Sequence, residues 1–91
     1  TYVAMMYSVS LTRQAEKHFR KIPKNDRERL KTVLQQMTTS PLDGDLVKLS
    51  GHDAYRRRVG NYRIIFSIFD TELTILVFDT VRRNEKTYTK L

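Results

Sequence analysis

The sequence predicts an α+β fold: an N-terminal strand, a helical hairpin, then a mainly antiparallel three-strand meander completing a small sheet, with the helices packed on one face. Three observations predict it. From Tyr55 to Val77 the chain reads YRRRVGNYRIIFSIFDTELTILV, which alternates with the period of strands and breaks at Gly60-Asn61, a two-residue turn of the kind that closes tight hairpins. Between Leu11 and Met37 the apolar positions recur instead every three or four residues, the rhythm of helices. The 91 residues form a single domain, 1–91, able to bury one core.

Met6 to Leu11 reads as a short strand in which Tyr7, Val9 and Leu11 alternate with Ser8 and Ser10. Thr12 caps the first helix, whose apolar face is Leu11, Ala15, Phe19 and Ile22, and Pro23 stops it. Asn25 and Glu28 have the spacing of a capping box for the second helix, and Leu30, Val33, Leu34 and Met37 form its apolar stripe. Thr38 to Asp45 holds Pro41 and Gly44 and reads as turns; Leu46 to Leu49 reads as a short extended piece. A turn at Asp70-Thr71 leads into a last strand, Leu73 to Asp79. Pairing Ile68 with Leu73, Phe66 with Ile75 and Ile64 with Val77 keeps one face apolar throughout and is the expected register. The other face then carries Arg63, Ile65, Ser67, Thr74, Leu76 and Phe78, basic at one end and greasy at the other, with Ile65, Leu76 and Phe78 as an exposed strip that the C-terminal segment or a partner would cover.

The hairpin has its own consequence. Val59 faces Tyr62, Arg58 faces Arg63 and Arg57 faces Ile64, so Arg56, Arg58 and Arg63 share one face while Val59, Tyr62, Ile64, Phe66 and Ile68 share the other. Like charges directly opposed across strands repel. The arginine face reads either as a solvated strand face or as an anion site, and the clustering beside a hydrophobic sheet favours the anion site.

Lys and Arg number 17 against 10 Asp and Glu, a net charge of +7 spread over the whole chain. That balance favours a polyanionic partner: nucleic acid first, an acidic protein segment second, a membrane surface third. With no cysteine there is no disulfide framework, thiolate zinc site or cysteine nucleophile. No apolar run approaches the roughly 18 residues of a membrane span, and TYVAMMYSVS lacks the layout of a signal peptide, so a cytoplasmic protein with no membrane partner is expected. Of the two histidines, His18 reads as a helix-flank residue, and His52, in the loop before the basic strand, as a candidate substrate contact. No carboxylate pair, metal-ligand spacing or glycine-rich phosphate loop is evident, so neither a metal nor a small-molecule cofactor is expected. What remains is arginine, which offers fixed charge and bidentate phosphate contacts, and tyrosine, which serves as acid or base once neighbouring cations lower its pKa.

Lys48-Leu49-Ser50-Gly51, then Tyr55-Arg56-Arg57-Arg58-Val59-Gly60-Asn61-Tyr62-Arg63-Ile64-Ile65-Phe66, then Val81-Arg82-Arg83 and Tyr88 resemble the RelE/ParE superfamily of type II toxin–antitoxin toxins, over nearly the whole chain. The resemblance implies a RelE-like, microbial-RNase-like fold and two activities to choose between. The RelE branch cuts messenger RNA in the ribosomal decoding site; the ParE branch inhibits DNA gyrase without nuclease chemistry. The RelE branch works through two basic residues before the hairpin turn, an arginine after it, an arginine after the last strand and a C-terminal tyrosine. These fall on Arg56, Arg58, Arg63, Arg83 and Tyr88, and their presence favours a metal-independent, ribosome-dependent endoribonuclease over a gyrase inhibitor or a toxin-like domain without activity. Arg63, Arg83 and Tyr88 are then the catalytic candidates, and Arg56, Arg58, Arg82, Lys48 and His52 the candidates for RNA or phosphate binding. Tyr88 has a second reading, an aromatic packed on Leu76 and Phe78.

The resemblance also implies partners: ribosome, mRNA and a cognate antitoxin. Facing this chain, the antitoxin needs apolar anchors for the greasy strip or the helix grooves and acidic residues for the arginines, in a segment that folds on binding. It would mask the arginines or displace the polar tail from Arg82 to Leu91, and the tail's weak anchoring favours displacement. The helix cations Arg13, Lys17, Arg20, Lys21, Arg27 and Lys31 read equally as solvated faces or as contacts to ribosomal RNA. If they dock, reversing their charge weakens ribosome binding and flattens its salt dependence by about one in the log–log slope per lost phosphate contact. Binding measured across a salt series decides this; an unchanged slope assigns them to solvent.

Overall fold

Strand gives way to helix at Thr12. In the computed structural model, which describes residues 6–51 and 53–82, strand β1 (Ser8–Leu11) buries Val9 and Leu11 partly and exposes Ser8 and Ser10. The Thr12 hydroxyl then accepts from the Ala15 amide at 3.1 Å, capping helix α1 (Arg13–Arg20) as its sequence predicts. The same hydroxyl donates to the Phe78 carbonyl at 2.9 Å, so one side chain both starts the helix and fastens it to the far end of the chain. α1 buries Ala15 and partly buries Phe19, and Ile22 continues that face in the turn beyond it.

Helix α2 (Lys24–Met37) corrects the expected capping box. Pro23 stands at the cap with φ −53° and ψ 147°, no side chain caps the helix, and Asn25 is already helical. The fixed proline φ starts the helix two residues earlier than the Asn-x-x-Glu pattern implied. Glu28 is left to pair with Lys31 at 3.4 Å on the surface. The apolar stripe falls as expected, with Leu30 and Met37 buried and Val33 and Leu34 partly so. Arg27 is not a free cation: its Nη1 donates to the carbonyls of Arg20 and Ile22 at 3.1 and 3.4 Å, tying α2 to the end of α1.

The remaining elements are β2 (Leu46–Lys48), β3 (Tyr55–Val59), β4 (Tyr62–Phe69) and β5 (Thr74–Arg82). All five strands make one sheet in the order β1-β5-β4-β3-β2. β2 to β5 run antiparallel, and β1 returns beside β5 in parallel. The extended piece at Leu46 is thus a true strand, and the meander has four strands. The β3–β4 hairpin has the expected register through Val59↔Tyr62, Arg58↔Arg63 and Arg57↔Ile64, with Gly60 at φ +57° in the turn, where a side chain would be strained. The helices cover the face bearing Val59, Tyr62, Ile64 and Phe66, which with Ile75, Val77, Leu30 and Met37 make the core.

The β4–β5 register is the main correction. Ile68 pairs with Ile75 and Phe66 with Val77, two residues on from the expected partners, because the turn spans Asp70 to Leu73, closes with a Leu73 amide to Asp70 carbonyl bond at 3.2 Å and holds Leu73 at φ +49°. A shift of two keeps every side chain on its expected face. A β-bulge opposite Ile65/Phe66 then adds one residue to β5, so that Ile65 faces Asp79 and Ile64 faces Thr80. The greasy strip is also corrected: Ile65 is 0% exposed and Leu76 and Phe78 are half-buried. No described helix is long and apolar enough to cross a membrane.

Thr12→Ala removes the cap and the bond to Phe78 together. A loss of about 1–2 kcal/mol is expected in urea unfolding, and a loss below about 0.5 kcal/mol would show that neither bond matters.

Candidate functional site

The face of the sheet away from the helices carries the arginines. Arg56, Arg58 and Arg63 lie on it together, Arg58 directly across from Arg63 and Arg56 across from Ile65. All three are half-buried, so their stems are held against the sheet and their charges act over a partly desolvated surface. Ile65 and Val81, facing Arg56 and Arg63, are buried and supply the apolar ground beside the guanidinium groups. The Ser67 hydroxyl donates to the Asp53 carbonyl, and Ala54 is buried, which ties the loop ahead of β3 to the middle of β4.

Arg58 is anchored through Asp45. Its amide donates to the Asp45 carbonyl at 2.9 Å, and its Nη1 lies 3.8 Å from Asp45 Oδ2. Its Nε is buried with no hydrogen-bond partner among the described residues. The loop that brings Asp45 turns at Gly44, whose φ is +92° and whose missing Cβ would stand 2.8 Å from the Arg57 guanidinium. Arg57 itself pairs with Leu46 and Ile64 and so belongs to the helix-side face.

Two other candidates lie apart from this cluster. Lys48 is exposed on edge strand β2 across from Tyr55, which stacks on core residue Phe66 with ring centroids 5.7 Å apart. Arg82 faces Tyr62 and lies over its ring, 5.9 Å from guanidinium carbon to centroid, on the helix side. His52, Arg83 and Tyr88 lie outside the described residues, as does most of the tail from Arg82 to Leu91. Among the tyrosines, Tyr7 is unsuited to act as a base: its hydroxyl donates to Asp70 Oδ1 at 2.7 Å, and that bond, with lesser help from desolvation and the Asp70 charge, raises its pKa above 10.0.

Sequence reasoning missed a second polar group. Asp79 is 2% exposed and accepts from Gln14 Nε2 at 2.7 Å and the Thr80 amide at 2.8 Å, while its Oδ1 lies 2.7 Å from His18 Nδ1. His18 is thus oriented by a buried carboxylate and is more than a flank residue. The one available signal was an aspartate inside an apolar strand, in step with Ile75 and Val77 on the helix side; its partners on α1 had no sequence mark.

The family model for the ParE toxin of the type II toxin–antitoxin system, parDE, matches residues 9–87. Among solved structures, the chain is similar to that of the archaeal RelE–RelB complex from Pyrococcus horikoshii OT3, at 27% identity and TM-score 0.79, covering 90% of this chain and 100% of that one. It is similar to the RelB–RelE antitoxin–toxin complex from Methanococcus jannaschii at 28% identity and TM-score 0.67, covering 80% and 88%. It is also similar to the intact E. coli RelBE toxin–antitoxin complex at 25% identity and TM-score 0.74, covering 87% and 99%. No curated protein sequence matches significantly.

Gly44→Ala forces a side chain into a positive-φ position and against Arg57. A destabilisation of about 1–3 kcal/mol in denaturant unfolding is expected; wild-type stability would show that the loop yields freely.

Proposed function

The chain belongs to the RelE/ParE superfamily of type II toxin–antitoxin toxins, and we propose that it acts in the RelE manner, as a metal-independent endoribonuclease that cuts mRNA in the ribosomal A site and so stops translation in the cytoplasm. The observation that carries this reading is the convergence of Arg56, Arg58 and Arg63 on the open sheet face, beside buried Ile65 and Val81. A trio of fixed cations on apolar ground suits a phosphodiester passing into a pentacoordinate, more highly charged state. The 2′-OH attacks the adjacent phosphate in line, and Tyr88 accepts its proton, the phenolate being favoured by nearby arginines. Arg63 and Arg83 stabilise the charge that develops, and Arg56 and Arg58 hold the phosphate. That Arg82 lies over Tyr62 on the helix side supports giving the post-strand arginine role to Arg83.

A cognate antitoxin is the second partner. Three of the RelE structures to which this chain is similar are complexes with RelB. On this chain, a groove between β1 and α2 offers Val9, Leu11 and Leu34 beside Lys31, and the outer edge of β1 carries no strand among the described residues. An antitoxin segment with apolar anchors and acidic residues fits both.

One observation favours a second reading, gyrase inhibition: the matching family model is that of the ParE toxin. Toeprinting on programmed ribosomes and supercoiling by purified gyrase separate the two. Wild-type protein should cut mRNA on the ribosome and leave gyrase untouched. Tyr88→Phe, Arg83→Ala and Arg63→Ala should each lower cleavage by roughly 10²–10⁴-fold while remaining folded. Full cleavage by Tyr88→Phe and Arg83→Ala would sink the mechanism, and gyrase inhibition without cleavage would replace it with the second reading.

A further inference from the structure

On the helix side of the sheet, where β4 begins and β5 ends, an open cleft of about 270 Å³ lies between α1, the start of α2 and the two strands. His18, Lys21, Tyr62, Thr80 and Arg82 line it, with Ile22 as an apolar wall. We propose that this cleft binds a phosphate group, separately from the arginine face.

The polar groups converge from α1, the turn after it and β5. Arg82 is exposed and lies over the Tyr62 ring, with its N–H groups reachable from solvent. Lys21, exposed in the turn after α1, adds a mobile cation. His18 has Nδ1 committed to the Asp79 carboxylate, so its free Nε2 donates to a phosphate oxygen in the imidazolium form and accepts from a protonated phosphate in the neutral form. Thr80 lines the cleft, and its Oγ1 is buried without a hydrogen-bond partner among the described residues. A buried hydroxyl without a partner is unfavourable, and a phosphate oxygen supplies the missing acceptor.

The two carboxylates nearby do not oppose an anion strongly. Asp79 is buried and already meets Gln14, His18 and the Thr80 amide. Asp26 accepts from the Tyr62 hydroxyl at 3.4 Å. The negative end of α1 is offset too, since Arg27 occupies the Arg20 and Ile22 carbonyls. α2, 14 residues long, begins at Pro23 on the rim with no side-chain cap, so its first-turn amides add positive potential there.

The phosphate has two sources, an RNA strand or a small phosphate ligand. Arg63 faces Val81 and Tyr62 faces Arg82, so the cleft and the arginine face meet at the same end of β4 and β5 on opposite sides of the sheet. A strand rounding that end would set one phosphate on each. The RNA source rests on the nuclease reading; the phosphate chemistry does not.

The test is NMR of the full chain, following the His18 ring and Arg82 side-chain signals during titration with inorganic phosphate and, separately, with a short 2′-O-methyl RNA that cannot be cut. Saturable shifts at both residues with inorganic phosphate are expected, weakened roughly tenfold by Arg82→Ala or Lys21→Ala and unchanged by Arg56→Ala. If the RNA moves the same signals and Arg82→Ala lowers its salt slope by about one, the strand is the source. Response to phosphate alone supports the site with a small phosphate ligand. No saturable shift at His18 and Arg82 with either probe overturns the proposal. Cleavage on ribosomes reads the arginine face, so failure of either test leaves the other standing.

Discussion

The fold depends on the parity of the β3–β4 hairpin. β4 is the central strand, and its two faces do different things: Tyr62, Ile64 and Phe66 lie under the helices, while Arg63 joins Arg56 and Arg58 on the open side. Side chains alternate with a period of two, so a slip of one residue would send the arginines beneath the helices and the aromatics into water. Gly60-Asn61 fixes the count by closing the hairpin in two residues. Core and candidate site are therefore set by one register. The same residues that make the protein stable decide which way its charge points.

β5 shows how a local irregularity adds function to a regular sheet. Without the bulge opposite Ile65/Phe66, the strand would continue the simple alternation of its first half. Asp79, in step with Ile75 and Val77, reaches Gln14 and His18 on α1, and the bulge then turns Thr80 and Arg82 to line the cleft on the helix side. Bulges commonly re-aim side chains at such places. Here one extra residue turns Thr80 and Arg82 to the helix side and gives the same end of the sheet a basic surface on each face.

What the sequence revealed follows from where the physics is local. The Thr12 cap, the stripe Leu30-Val33-Leu34-Met37 and the hairpin pairs through Arg58 and Arg63 were legible because each depends on neighbours a few positions away. The β4–β5 register was not, because its turn is set by Leu73 adopting a positive φ, which leucine does not advertise. The capping box misled because two start signals competed and Pro23 acted first. Burial of Ile65 escaped notice because alternation assigns a side chain to a face and says nothing of what covers that face. Of the site, the trio on the open face was readable from parity, and Arg82 proved to lie on the opposite side. Asp79 with His18 needed the tertiary structure, since 61 positions separate them.

The parallel pairing of β1 with β5 bears on how the molecule comes into being. Thr12 and Phe78, joined by a hydrogen bond, are 66 positions apart, and a parallel pair cannot be closed by a hairpin. On a growing chain, β1 and the two helices emerge first, with Leu30 and Met37 lacking the sheet that covers them. Contacts of such long range form late, after the loop between them has been ordered. Only when β5 slots between β1 and β4 do the two ends of the chain become one sheet with a rigid arginine face. Maturation is thereby tied to completion: a chain cut short before β5 still carries the arginines of the β3–β4 hairpin but lacks the strand that joins that hairpin to β1.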